Sequence, residues 1–197
     1  MSFSAVILNC PSCGAVVSLE NKKCEYCDSP LTYSEFNSVW AMDNGIVQKY
    51  LSAYSGADSL LYKNPEVNFS AGMCCLKLRL FDRAYDFFDK AINCNFNNSE
   101  AYFYAAVSLL GGKKAFLSRR ETIDKIEQNI KAAITIEPRG IFYYFWAYIK
   151  YDYFKRKFLN TMPDYNECLQ NSVERNTSDF DKKMVFDIIG VEKPSCF

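Results

Sequence analysis

The sequence predicts a mainly α protein in which antiparallel helix pairs follow a small β module. Three observations carry that expectation. Two Cys-x-x-Cys pairs, Cys10/Cys13 and Cys24/Cys27, are set ten residues apart near the start. Beyond residue 34, apolar side chains recur every three to four positions, the period of a helix face. Turns containing Asn, Gly and Pro cut this pattern into segments of helix length. The expected parts are a metal-binding module over 1–33, a linker and leading helix over 34–63, helix pairs over 64–160, and capping helices over 161–197.

Composition narrows the function classes. The chain of 197 residues is 49% apolar, enough for a real core, and its Lys+Arg and Asp+Glu counts are both 23. No overall charge draws it to nucleic acid or anionic lipid, so only a local basic patch would argue for either. Residues 1–8 lack the basic start and long apolar run of a secretory signal. No uncharged stretch of about 18 residues predicts a membrane-spanning helix, and no membrane insertion is expected. Nine cysteines in such a chain point to a reducing, cytoplasmic setting, where Cys-x-x-Cys pairs more often bind metal than form disulfides. Histidine is absent, which removes the commonest acid–base residue.

In the first module, Ser4–Leu8 reads as a strand running into Cys10-Pro11-Ser12-Cys13-Gly14. Ala15–Leu19 reads as a second strand, with a turn at Glu20–Lys23 leading to Cys24-Glu25-Tyr26-Cys27-Asp28. Gly14 and Asp28 suit the positive φ that aims backbone amides at cysteine sulfurs. Two such turns place four thiolates at the corners of a tetrahedron, and the motif resembles a zinc ribbon. The resemblance implies one structural Zn2+ held by Cys10, Cys13, Cys24 and Cys27. A rubredoxin-like iron site and redox cysteines are the lesser readings. Charges on the module nearly balance, which disfavours phosphate contact there.

Phe36, Val39 and Trp40 have helical spacing, with Ser34 as a candidate cap, and Trp40 is expected to dock this piece on the rest. Ile46–Tyr62 reads as one bent helix or a pair interrupted at Gly56. Pro65 then opens the next element at a first turn, where its missing N–H costs nothing.

Counted from Pro65, Gly72, Ala84, Phe88 and Ala91 fall at positions 8, 20, 24 and 27 of a 34-residue pattern. These are places where paired helices need a small residue or an aromatic filler. Helices are expected over about 65–80 and 81–93. A second pair carries Tyr102, Ala105, Ala106 and Leu109 on its first helix and Ile126, Ile130 and Ala133 on its second. Ala106 to Ile126 spans twenty residues where the pattern has twelve, so an eight-residue insertion lies within Gly111–Thr122. Its Gly-Gly-Lys-Lys lacks the spacing and preceding strand of a phosphate loop. A third pair begins near Arg139 with a dense aromatic run over 142–158, either thick core or an exposed tyrosine groove. Helices starting at Pro163-Asp164 and over Asp179–Ile189 follow, with Gly190 as a stop and Lys193–Phe197 as a frayed tail.

Residues 64–160 thus resemble tetratricopeptide repeats, implying a short helix-pair solenoid that binds an extended peptide or helix of a protein partner. By position the resemblance assigns the concave face to Phe69, Met73, Lys77, Phe103, Val107, Tyr143, Ala147 and Lys150. The expected function is a non-enzymatic protein–protein adaptor, with the metal module stabilising the fold or docking a second time. The alternative is a nucleic-acid-binding accessory protein using tyrosines and a basic rim of Lys113, Lys114, Arg119, Arg120, Lys155, Arg156 and Lys157. Solvated basic residues at helix C-termini are the plain explanation of that rim. No catalytic constellation and no small-molecule substrate are expected. Cys74, Cys75, Cys94, Cys168 and Cys196 read as small core hydrophobes.

Overall fold

The structure, a computed structural model, describes residues 7–55, 63–195 and 197. It is mainly helical, with one small antiparallel sheet, and it divides into two compact units, Met1–Phe96 and Asn97–Phe197.

In the first unit β1 (Ile7–Asn9) pairs antiparallel with β2 (Val16–Ser18), placing Leu8 opposite Val17. Both of those side chains are buried, as alternation along a strand requires. The expected strand residues 4–6 and the helix expected through 56–62 lie outside the described residues. Helix α1 (Phe36–Trp40) starts after Glu35 with no side-chain cap, so Ser34 does not act as one. Asp43 caps α2 (Asn44–Tyr54), its Oδ1 accepting from the Gly45 N–H at 2.7 Å.

Helix α3 (Pro65–Lys77) opens as expected, with the Asn64 side chain accepting from the amides of Glu66 and Val67. It stops short of the expected end, and the chain turns through Arg79 at φ 58°. Helix α4 (Phe81–Cys94) presents Ala84, Phe87, Phe88, Ala91 and Ile92 as one buried stripe. The α3–α4 contact is close where the pattern asked for a small residue. A Cβ on Gly72 would lie 2.7 Å from the Phe88 ring. Because α4 covers one side of α3 and α1 and α2 pack on it as well, every residue from Val67 to Leu76 is buried.

In the second unit Asn98 caps α5 (Ser99–Leu109), accepting from the Ala101 amide at 3.0 Å. The insertion turns at Gly111 and Gly112, both at positive φ, makes one 3-10 turn at Ala115–Leu117, and reaches α6 (Arg120–Ile136). Helix α7 (Gly140–Ile149) continues into a wide π turn at Lys150–Phe154 and a 3-10 turn at Lys155–Lys157. Phe158 ends it at φ 57°, a left-handed conformation that costs a non-glycine residue about 1–2 kcal/mol.

The aromatic run is largely core: Phe142, Tyr144, Phe145, Trp146, Tyr148, Tyr153 and Phe154 are buried, while Tyr143 and Tyr151 are half-buried. Asp164 and Ser178 cap α8 (Tyr165–Glu174) and α9 (Asp179–Ile189), and Gly190 stops α9 at φ 65°. Val173 and Phe180 are exposed. Phe197, expected in a frayed tail, is packed. The Phe197 ring packs against Tyr144, Tyr151, Tyr148 and Phe186, with centroids between 5.6 and 6.5 Å.

Candidate metal centre and the expected binding face

The two Cys-x-x-Cys turns are built alike. Gly14 N–H donates to the Cys10 carbonyl and Asp28 N–H to the Cys24 carbonyl, at 2.8 and 2.9 Å. In turn the Cys10 amide donates to Ala15 O and the Cys24 amide to Ser29 O. Gly14 and Asp28 take φ 78° and 57°, the conformations that close each turn.

The four sulfurs all lie within 4.8 Å of one another, with Cys10–Cys27 at 3.6 Å and Cys13–Cys24 at 3.7 Å. A tetrahedral ion with metal–sulfur bonds of about 2.3 Å needs sulfur–sulfur edges of about 3.8 Å, so the cluster fits a zinc-sized ion. Cys10 and Cys24 are buried, and Cys13 and Cys27 face solvent. The Ser29 hydroxyl and amide pull the Cys27 thiol down to about 6. Cys13 receives the Ala15 amide, its largest influence, yet the three neighbouring sulfurs hold it up at about 12. Four thiolates this close repel one another unless a cation sits among them. With four protein ligands the site is coordinatively closed, which suits structure rather than turnover.

The end of the metal module is fastened to helices of its own unit. Tyr50 and Tyr54 hydroxyls donate to the carbonyls of Pro30 and Leu31 at 3.0 and 2.8 Å. The Ser70 hydroxyl on α3 accepts from the Tyr33 amide at 2.9 Å and donates to the Tyr33 carbonyl at 3.1 Å. Leu31 is fully buried. Desolvation raises the Tyr54 phenol well above its ordinary value, so it remains a neutral donor.

The residues expected on a concave face are mostly interior. Phe69, Met73, Phe103, Val107, Ala147 and Lys150 are buried. In the first unit the cause is the packing of α1, α2 and α4 around α3. Lys77 is half-buried, donates to the Trp40 carbonyl at 2.7 Å and lies over that indole ring, which is how Trp40 docks. In the second unit Phe103 packs on Phe142 and Phe145 of α7, with centroids 4.8 and 5.8 Å away. Tyr143 is stacked by Arg175. Within each unit those side chains pack into the fold.

Lys150 instead belongs to a buried polar group that periodicity alone did not expose. Its Nζ lies 2.7 Å from Glu127 Oε1, which also accepts from Trp146 Nε1 at 2.8 Å. Lys150 donates further to Thr161 Oγ1 at 3.2 Å. The available signal was Glu127 itself, set on the apolar stripe of α6 between Ile123, Ile126 and Ile130. Asp152 is a second buried carboxylate, taking the Phe116 amide and the Arg156 guanidinium. Of the remaining cysteines, Cys74, Cys75 and Cys168 are buried. Cys94 is exposed, contrary to expectation, because it lies at the last residue of α4 beyond the buried stripe; Cys196 lies outside the described residues.

The fold and the site together define a mainly helical protein with an N-terminal four-cysteine cluster able to hold a metal. No protein-family model matches the chain, and no curated protein matches it in sequence. No helix among the described residues is long and apolar enough to cross a membrane.

Proposed function

We propose that the protein is a non-enzymatic interaction adaptor, working in a reducing, cytoplasmic setting, whose metal module carries one structural Zn2+ and docks a protein partner. The observation that carries this reading is the outer face of the small sheet. Ile7 and Val16 are exposed on the side opposite buried Leu8 and Val17, and Tyr26 is exposed on the second cysteine turn. A two-stranded sheet has no folding reason to present branched apolar side chains to water, whereas a docking surface does.

The helix pairs are read as tetratricopeptide-like hairpins, supported by the Gly72–Phe88 approach at the predicted positions. Their role in this reading is to present the module, not to offer a groove between first helices. Against an enzyme stands the closed thiolate cluster, which leaves no coordination position for substrate.

The test is affinity purification of the full chain and an Ile7→Ser/Val16→Ser/Tyr26→Ser variant, with metal content measured on each sample. The expected result is one zinc per chain in both and loss of the partner from the variant only. Retention of the same partner by the variant would refute docking through this face. A preparation holding iron would refute the choice of zinc.

A further inference from the structure

The basic rim of the second unit is brought together and is interleaved with exposed apolar side chains. Arg156 and Lys157 lie over the Phe116 ring, at 4.5 and 5.0 Å, so the insertion and the run after α7 form one surface. Arg120 joins it over Phe154 at 5.1 Å, and Lys114 shares a cleft with Arg156. Asp152 and Asp124 neutralise Arg156 and Arg120. Among the described residues no ion pair engages Lys113, Lys114, Arg119, Lys155 or Lys157. Lys114, Lys155 and Lys157 thus carry positive charge that no ion pair offsets, with Glu192 lining the Lys114–Arg156 cleft and Asp164 the cleft that Lys155 lines.

On the insertion and the run after α7, Leu117 is 70% exposed, Phe158 94% and Met162 81%, with Leu159 also exposed. Phe158 combines near-total exposure with a sterically disfavoured left-handed backbone. Both features are unfavourable in water and neither is required to end a helix, since glycine does that without strain. Leu159 and Met162 border a cleft of about 380 Å3 that Lys155 also lines.

We propose that this surface docks the protein peripherally on an anionic lipid bilayer. Lysines and arginines would meet the headgroups while Phe158, Leu159, Leu117 and Met162 enter the interface. The pairing of unneutralised cations with protruding apolar tips is what interfacial attachment requires. Nucleic acid fits less well, because Leu and Met do not stack on bases and Tyr153, beneath Lys157 at 3.8 Å, is buried. The attachment goes beyond the adaptor reading and uses none of its residues, so a failure of one leaves the other standing.

The experiment is flotation of the full metal-loaded chain with phosphatidylcholine vesicles, with and without about 30% phosphatidylserine. Binding is expected to the anionic vesicles only and to weaken as salt rises. Phe158→Ser is expected to lower partition roughly ten-fold. Lys155→Glu/Lys157→Glu is expected to lower it by more than twenty-fold, at about five-fold for each charge removed. All three sites are solvent-facing or half-buried, so circular dichroism and thermal midpoints should match the parent. Phe158→Trp adds an independent readout, a blue shift of its emission on anionic vesicles. Absence of partition on anionic vesicles overturns the proposal, as does partition that Phe158→Ser leaves unchanged. Salt-sensitive binding to a single-stranded oligonucleotide without vesicle binding would reassign the surface to nucleic acid.

Discussion

Gly72→Ala sets two opposing effects against each other at the centre of the α3–α4 hairpin. Replacing glycine inside a helix ordinarily stabilises by about 1 kcal/mol, because alanine restricts the unfolded chain and favours helix. Here the added methyl would sit 2.7, 2.8 and 2.9 Å from three atoms of the Phe88 ring. Carbon atoms prefer roughly 3.5–4.0 Å, so the ring must retreat by close to 1 Å. Phe88 is fully buried and packs edge-on to Phe69 at 5.7 Å, which leaves it little room to retreat. Overpacking costs about 1–3 kcal/mol, and a ring with so little room belongs in the upper part of that range, so about 2–3 less the 1 gained leaves a destabilisation of about 1–2 kcal/mol. For a unit of this size that lowers the thermal midpoint by about 4–16 °C. Urea titration followed by far-UV circular dichroism reads the shift at unchanged m. Phe88→Leu in the same background makes space for the methyl and should recover part of the loss, giving a non-additive cycle. A Gly72→Ala protein as stable as the parent, or more so, would refute the close-approach argument.

Three further outcomes follow from the buried groups. Lys150→Met strands the Glu127 carboxylate in the core and should cost about 3–5 kcal/mol, whereas Lys150→Met/Glu127→Gln keeps an acceptor for Trp146 and should restore most of it, read by urea midpoints. Burial pushes the Cys74 and Cys168 thiols up to about 12 and Cys75 to about 11. Their neutral forms are thus stabilised by folding: that contribution is whole below about pH 9 and fades as pH rises toward 11–12, so the urea midpoint of the metal-loaded protein should fall across that window. Removing the metal with a strong chelator should loosen residues 30–33, release their bonds to Tyr50, Tyr54 and Ser70, and raise hydrogen exchange in α2 and α3 while leaving α7 unchanged.

Legibility in the sequence followed the range of the interactions involved. The cysteine turns were readable because every element of a ligand knuckle, from Cys10 to Gly14 and from Cys24 to Asp28, lies within five residues. Gly72 and Phe88 were readable because a helix hairpin converts spacing directly into contact. The concave face was not, since exposure of α3 depends on whether distant segments cover it. Here the Tyr33–Tyr54 stretch does, through bonds spanning 37 residues from Tyr33 to Ser70 and from Trp40 to Lys77. Lys150 was misplaced for a related reason: a lysine reads as solvated until a buried carboxylate, itself hidden on another helix, is known to face it.

The π turn at Lys150–Phe154 also bears on how the chain tolerates change in length. A π turn holds one residue more than the α turn it replaces, and each helical residue advances the side-chain direction by roughly 100°. Deleting a single residue there would leave α7 intact, yet swing Lys155, Arg156 and Lys157 around the helix axis and away from Phe116. The same deletion would take Asp152 off the Phe116 amide. The orientation of a whole face thus hangs on one residue's worth of helix.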